Sequence, residues 1–284
     1  MTEEHEADAA DHESGSLPDP GRRLARRIIG GGAVLFWIVQ IALTFGGGLP
    51  LVDSIAVAAL LVLLPMLSFA QLPLIETAEI EREQAYVASI TTLWFLGTAC
   101  WLVGTREGGA AAIGLTGLPL LPLVGWSLGL TAGALVVIVV FRAVGQAVGH
   151  RDTPLLHALL PRTPRECGLF GVLSLAAGSG EEVAYRGYLI PVLAPLTGLL
   201  PAAVLSTVVF GLLHLYQGWL GVLRTGVMGA LLAAGFLASG SLWPPIIAHV
   251  LIDVLAGIVL GERLLSPTVP SRVSSADEPP LPPA

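Results

Sequence analysis

Residues 178–189 read GSGEEVAYRGYL, and the fold turns on how this stretch is read. Glu181, Glu182 and Arg186 stand between LFGVLSLAA (169–177) and IPVLAPLTGLL (190–200), both strongly apolar. An ionised side chain near the middle of a bilayer costs ~2.5–3.5 kcal/mol on insertion scales, so such groups face a protein interior or a wet cavity. In an α-helix Glu182 and Arg186, at i and i+4, lie one above the other and can pair, while Glu181 points about 100° away. One carboxylate can be held as an ion pair and the other left free to take a proton from water. Gly178 and Gly180 just upstream are expected to loosen or break the helix and let water and backbone approach.

The composition around the stretch agrees with a membrane setting. The chain has 284 residues, is 54% hydrophobic and only 12% charged, with a mean hydropathy of +0.78. A soluble domain carries about a quarter charged residues. All 14 basic residues are arginine. The net charge of −7 is concentrated: seven of the 21 acidic residues fall in residues 1–20. Residues 1–21 read as an acidic disordered tail and 263–284 as a Pro- and Ser-rich one, flanking a membrane domain over 22–262. No basic patch with interleaved aromatics is present, which argues against nucleic acid as a partner. Cys100 and Cys167 lie outside any CxxC or Cys/His spacing and read as reduced, small apolar residues.

A spanning helix needs ~20 mostly apolar residues. Eight runs qualify as candidates: 28–45, 54–70, 86–104, 119–141, 168–196, 199–216, 218–238 and 242–261. The expectation is an all-α polytopic membrane protein of about eight helices. RRLARR (22–27) before the first run reads as the inner flank of a membrane helix rather than a signal peptide, because the run is too long and no small-residue cleavage site closes it. Arg142, Arg151, Arg162 and Arg165 fall in the loop after the fourth run. The outward loops 46–53 and 105–118 hold only Arg106. Arginine bias therefore puts both termini on the cytoplasmic side of the cell membrane. The acidic loop ETAEIERE (76–83) is neutral in this count. Trp219 and Trp243, near helix ends, read as interfacial anchors. Arg224 reads as a snorkelling side chain, with contact to a substrate carboxylate as the sharper alternative.

The first four runs carry few ionisable groups, with Asp53 at a boundary, and the last four carry nearly all of them, so the chemistry is expected there. FGLLH (210–214) sets Phe210 and His214 on one helix face, and HVLID (249–253) does the same for His249 and Asp253, where the carboxylate can orient the ring. Glu181, His214 and His249, from three helices, could surround one water. Either the glutamate acts as general base with the histidines stabilising an oxyanion, or Glu181, His214 and His249 bind zinc. HExxH and GxSxG are both missing.

EEVAYR, FGLLH and HVLID, in this order on separate apolar helices, resemble the EExxxR, FxxxH and HxxxN-type motifs of the CPBP family of intramembrane proteases. That family includes the CAAX-processing endopeptidase and bacterial bacteriocin-immunity and processing proteins. The likeness covers about residues 165–262. It implies an intramembrane endopeptidase, CAAX-protease-like, acting on a membrane-associated peptide or protein, of glutamic or metal-dependent type. Glu181 would activate the water, Glu182, Arg186 and Phe210 would support that site, His214 would contact the water or the catalytic glutamate, and His249 with Asp253 would form the oxyanion hole. Position 253 departs from the pattern, with Asp where Asn is common; an ionised carboxylate repels an oxyanion, so Asp253 must be protonated, act only by orienting His249, or bind a metal indirectly. Two other classes compete: a non-proteolytic scaffold or immunity-type binding protein, and a transporter with a proton relay. The second lacks the expected inverted repeat.

Overall fold

The computed structural model describes residues 20–75, 81–150 and 152–264. The acidic and Pro/Ser-rich tails lie outside them except for a few residues at each boundary, as do five residues of the 76–83 loop and Arg151. Among the described residues every element of regular secondary structure is a helix. Helices occur at all eight apolar runs. Five are long and apolar enough to cross a membrane: α1 (Pro20–Gly46), α2 (Leu51–Pro73), α3 (Arg82–Thr105), α4 (Leu120–Ala147) and α7 (Trp219–Ser239). Two shorter apolar helices are α6 (Leu199–Leu212) and α8 (Trp243–Val259). The remaining helix, α5, runs in three joined segments: α-helical Pro164–Glu181, π-helical Glu182–Leu189 and α-helical Ile190–Thr197. The protein is an all-α polytopic membrane protein.

The outer helices show bare apolar faces, with Phe45, Phe95, Leu120 and Leu121 all more than three-quarters exposed. Helices that are apolar on the outside as well as the inside belong in lipid. The interior is built around the middle of α5. Tyr185, Tyr188, Leu189 and Ile190 pack with Val57 and Leu60 of α2, Cys100 of α3, Phe210 of α6, and Leu242 and Ile246 at the start of α8. Cys100 and Cys167 are free thiols, the first buried.

Two polar clamps fix α5 along its length. At its start, Thr163 caps the helix and Glu166 closes the reciprocal capping box, with Pro164 at the first helical position. The Glu166 carboxylate accepts from the backbone N–H groups of Arg162 (2.6 Å) and Thr163 (3.0 Å). These bonds, Arg162's first, hold its carboxyl below the usual range. Tyr86 of α3 donates to the Leu159 carbonyl at 2.6 Å, tying the preceding loop down.

Farther along, Tyr188 donates to Asp53 Oδ1 at 2.9 Å, and Arg106 pairs with the same carboxylate. Asp53 is therefore a buried anchor rather than a boundary residue: it joins the start of α2, the end of α3 and the π-helical turn of α5. Tyr188→Phe is expected to lower thermal stability by about 1.5–3 kcal/mol, the range for a hydrogen bond to a charged group. Thermal denaturation of the purified variant checks this, and an unchanged melting temperature would remove Asp53 from the anchor role.

Candidate active site

The π-helical turn opens where the charges begin. Its i→i+5 bonding inserts extra backbone into the helix, a distortion found most often at functional sites. The upstream glycines do not break the helix, contrary to one part of the expectation for them; as the other part has it, they let backbone approach, here that of neighbouring helices. A Cβ at Gly180 would lie 2.4 Å from the Leu93 carbonyl oxygen of α3, and one at Gly178 would lie 2.5 Å from Val250 of α8. Gly97 of α3 faces Gly180 in turn. The absence of side chains brings α3 and α8 against α5 just ahead of Glu181, the usual use of small residues between membrane helices.

Glu182 and Arg186 pair at 2.9 Å, both with no exposed side-chain surface. The guanidinium also donates to the Gly229 carbonyl of α7 at 3.0 Å, and its carbon lies 4.2 Å from the centroid of the Phe210 ring. A Cβ at Gly229 would meet both Arg186 and Phe210 below 3 Å, so this glycine makes room for the cation and the ring over it. Phe210 thus meets Arg186 in cation–π geometry.

Glu182 Oε1 accepts a second bond, from His249 Nδ1 at 2.9 Å. A carboxylate there puts a proton on Nδ1 and turns Nε2 toward the remaining acids. Nε2 lies 3.7 Å from Glu181 Oε2 and 3.8 Å from Asp253 Oδ2. The sequence spacing assigned the orienting role to Asp253. In the structure Glu182 holds the ring, and Asp253 faces the same nitrogen as Glu181 from the more exposed side, with its side chain 32% exposed against 14% for Glu181. Glu181 does stand apart from Arg186, as the 100° offset predicts.

His214 lies just past the end of α6. Its Nδ1 is 2.9 Å from the Phe210 carbonyl. A carbonyl can only accept, so Nδ1 carries the proton and the neutral ring keeps its lone pair on Nε2. The rings of His214 and His249 flank Phe210, with centroid separations of 5.0 and 6.1 Å. Tyr216 stands 5.9 Å from His214. Among the described residues no three His, Cys, Asp or Glu side chains are grouped so as to hold a metal ion. Glu181, His214 and His249, the alternative zinc ligands, are not gathered into such a group.

Sequence reasoning missed Gly229, whose carbonyl and missing side chain serve Arg186, and Tyr185, a fully buried residue whose hydroxyl has no hydrogen-bond partner among the described residues. Tyr185 falls inside the quoted EEVAYR stretch, and its polar tip in an apolar run was the available signal.

A polytopic helical bundle with paired carboxylates and histidines at its centre defines the class, and comparison with known proteins narrows it. Residues 163–255 match the family model described as type II CAAX prenyl endopeptidase Rce1-like. The chain therefore carries an Rce1-like domain, of the CPBP family, from the cap of α5 to just beyond Asp253. The match encloses all seven residues singled out by motif. No curated protein and no solved structure matches the chain.

Proposed function

We propose that this protein is an intramembrane endopeptidase that hydrolyses a peptide bond in a membrane-associated peptide or protein, with Glu181 as the base that activates water. The observation that carries the reading is the division of labour between adjacent glutamates. Glu182 is committed to Arg186 and His249. Glu181 makes no hydrogen bond among the described residues and lies 3.7 Å from His249 Nε2.

Glu181 takes the proton of a water whose oxygen attacks the scissile carbonyl. His214, with its lone pair on Nε2, orients that water by accepting its other hydrogen. The proton held by Glu181 goes to the leaving amine, and the C–N bond breaks. His249, fixed through Nδ1 by Glu182, donates to the oxyanion from Nε2 once that nitrogen has also taken up a proton, and as a neutral ring accepts a proton there in relay. Asp253 tunes that nitrogen instead of contacting the oxyanion, because a carboxylate would repel it. The family name speaks of prenyl CAAX substrates; for this chain the substrate class proposed is any membrane-delivered peptide. We also place both termini on the cytoplasmic side, since Arg142 in the last turns of α4, Arg162 in the loop after it and Arg165 in the first turn of α5 collect at one end.

Detergent-purified protein is tested against a membrane-tethered peptide library, wild type beside Glu181→Gln, each with and without a chelator. Cleavage is expected to fall at least 10²-fold in Glu181→Gln, the lower end of what a positioned general base contributes, and to survive the chelator. Loss in both arms would give the chemistry to a metal. Absence of cleavage by folded wild type would favour the non-proteolytic binding protein.

A further inference from the structure

The geometry points to a binding site for the phosphate of an anionic phospholipid in a cleft between α4 and α7, separate from the carboxylate centre. The cleft is lined by Arg142 at the end of α4, Arg224 on α7, His150 and Asp152 in the loop after α4, and apolar Phe141 and Leu220. Arg142 is exposed, with no hydrogen bond or ion pair among the described residues. Arg224 is half-buried and donates to Gln217 Oε1 at 2.9 Å. Among these lining side chains two guanidiniums stand against the single Asp152 carboxylate, leaving one positive charge over. A phosphodiester supplies one negative charge and planar acceptors that match a guanidinium. Trp219 begins α7 with its ring 57% exposed and meets the His150 ring edge-on at 5.8 Å. A Trp so placed sits at headgroup depth, and Phe141 and Leu220 offer an apolar wall to the first carbons of an acyl chain.

Helix geometry separates this cleft from the proposed peptide site. At 100° per residue, Val222, Gly226 and Gly229 share one face of α7, which meets Gly211 of α6 and Arg186 of α5. Leu220, Arg224, Leu231 and Gly235 lie about 180° away. Leu220 meets Gly145, Leu231 meets Gly133 and Gly235 meets Leu130, all on α4. By backbone position Arg224 thus belongs to the α4-facing stripe, while its guanidinium reaches Gln217, which bonds Tyr216 beside His214. This favours lipid over a substrate carboxylate, the alternative that the sequence left open for Arg224.

The test uses the full chain in phosphatidylcholine nanodiscs with a rising fraction of phosphatidylglycerol, read by melting temperature and by lipid retained in native mass spectrometry. Phosphatidylglycerol is expected to stabilise the wild type saturably. Arg142→Gln and Arg224→Gln should each raise the half-saturating fraction about fivefold, the effect of removing one cation from the headgroup. Arg165→Gln, exposed on the same end and paired with Glu83, should leave it unchanged. Equal response of wild type and Arg142→Gln would overturn the site. An equal response of Arg165→Gln would reduce it to diffuse surface charge. Inorganic phosphate that reproduces the stabilisation in phosphatidylcholine alone would reassign the site to free phosphate. A peptide acid that displaces the lipid while its C-terminal amide does not would give Arg224 to a substrate.

Discussion

Arg186→Ala is expected to leave little folded protein, while Glu181→Gln purifies at close to wild-type yield. Both side chains of the Glu182–Arg186 pair are fully buried. Removing one partner strands a charge, and breaking a buried ion pair costs about 3–5 kcal/mol. The same change also removes the donor to Gly229 and the cation beneath Phe210. Marginal stabilities of about 5–15 kcal/mol make that a large fraction of the total. Glu181 has no such partner, so its conversion to an amide of the same shape leaves packing intact. The double variant Glu182→Gln/Arg186→Met removes both charges together and should recover much of the loss, because the penalty comes from an unpaired charge more than from the lost attraction. His249 would lose its carboxylate in the double variant, so recovery of fold without recovery of cleavage is the expected pattern. The check is yield and melting temperature of the three proteins side by side. Normal melting of Arg186→Ala would refute the buried-pair account.

The contrast shows where sequence periodicity reaches and where it stops. Helix-length apolar runs mark lipid-spanning segments because the bilayer imposes a length, and helices appear at all eight. The Glu182–Arg186 pair was legible because both partners lie on one helix four residues apart. His249 and Asp253 were legible for the same reason. The bond from His249 to Glu182 was not, since it crosses 67 positions between separate helices. Asp253 was the only orienting group that local spacing could offer. Asp53 was read as a boundary residue because nothing in its neighbourhood in sequence announces Tyr188 or Arg106. The glycines misled in a related way. A glycine before a charged pair implies flexibility when only its own helix is considered. Its function here, close approach, belongs to the neighbouring helix, which local sequence does not display.

The second large effect follows from that approach. Gly97→Ala and Gly180→Ala are each expected to destabilise the protein and to abolish cleavage before they abolish folding. A Cβ at Gly97 would lie 2.6 Å from the Gly180 Cα, and one at Gly180 would lie 2.4 Å from the Leu93 carbonyl. Neither obstruction is a flexible side chain that can swing aside, so α3 must move off α5. Overpacking of this kind costs about 1–3 kcal/mol, offset in part by the ~1 kcal/mol that alanine gains over glycine inside a helix. The net loss of stability is modest, but the displacement falls next to Glu181. A shift of that residue relative to His249, now 3.7 Å away, costs rate steeply, because a misplacement of ~1 Å can cost about 10²-fold. Gly171→Ala is the control. It lies on the same helix, with nothing within 4 Å of the added carbon, and should be neutral or slightly stabilising with full activity. Melting temperature and cleavage rate measured across the three variants separate the two consequences. Full activity in Gly180→Ala would mean that the contact with α3 does not position Glu181, and that the glutamate is held from the α8 side alone.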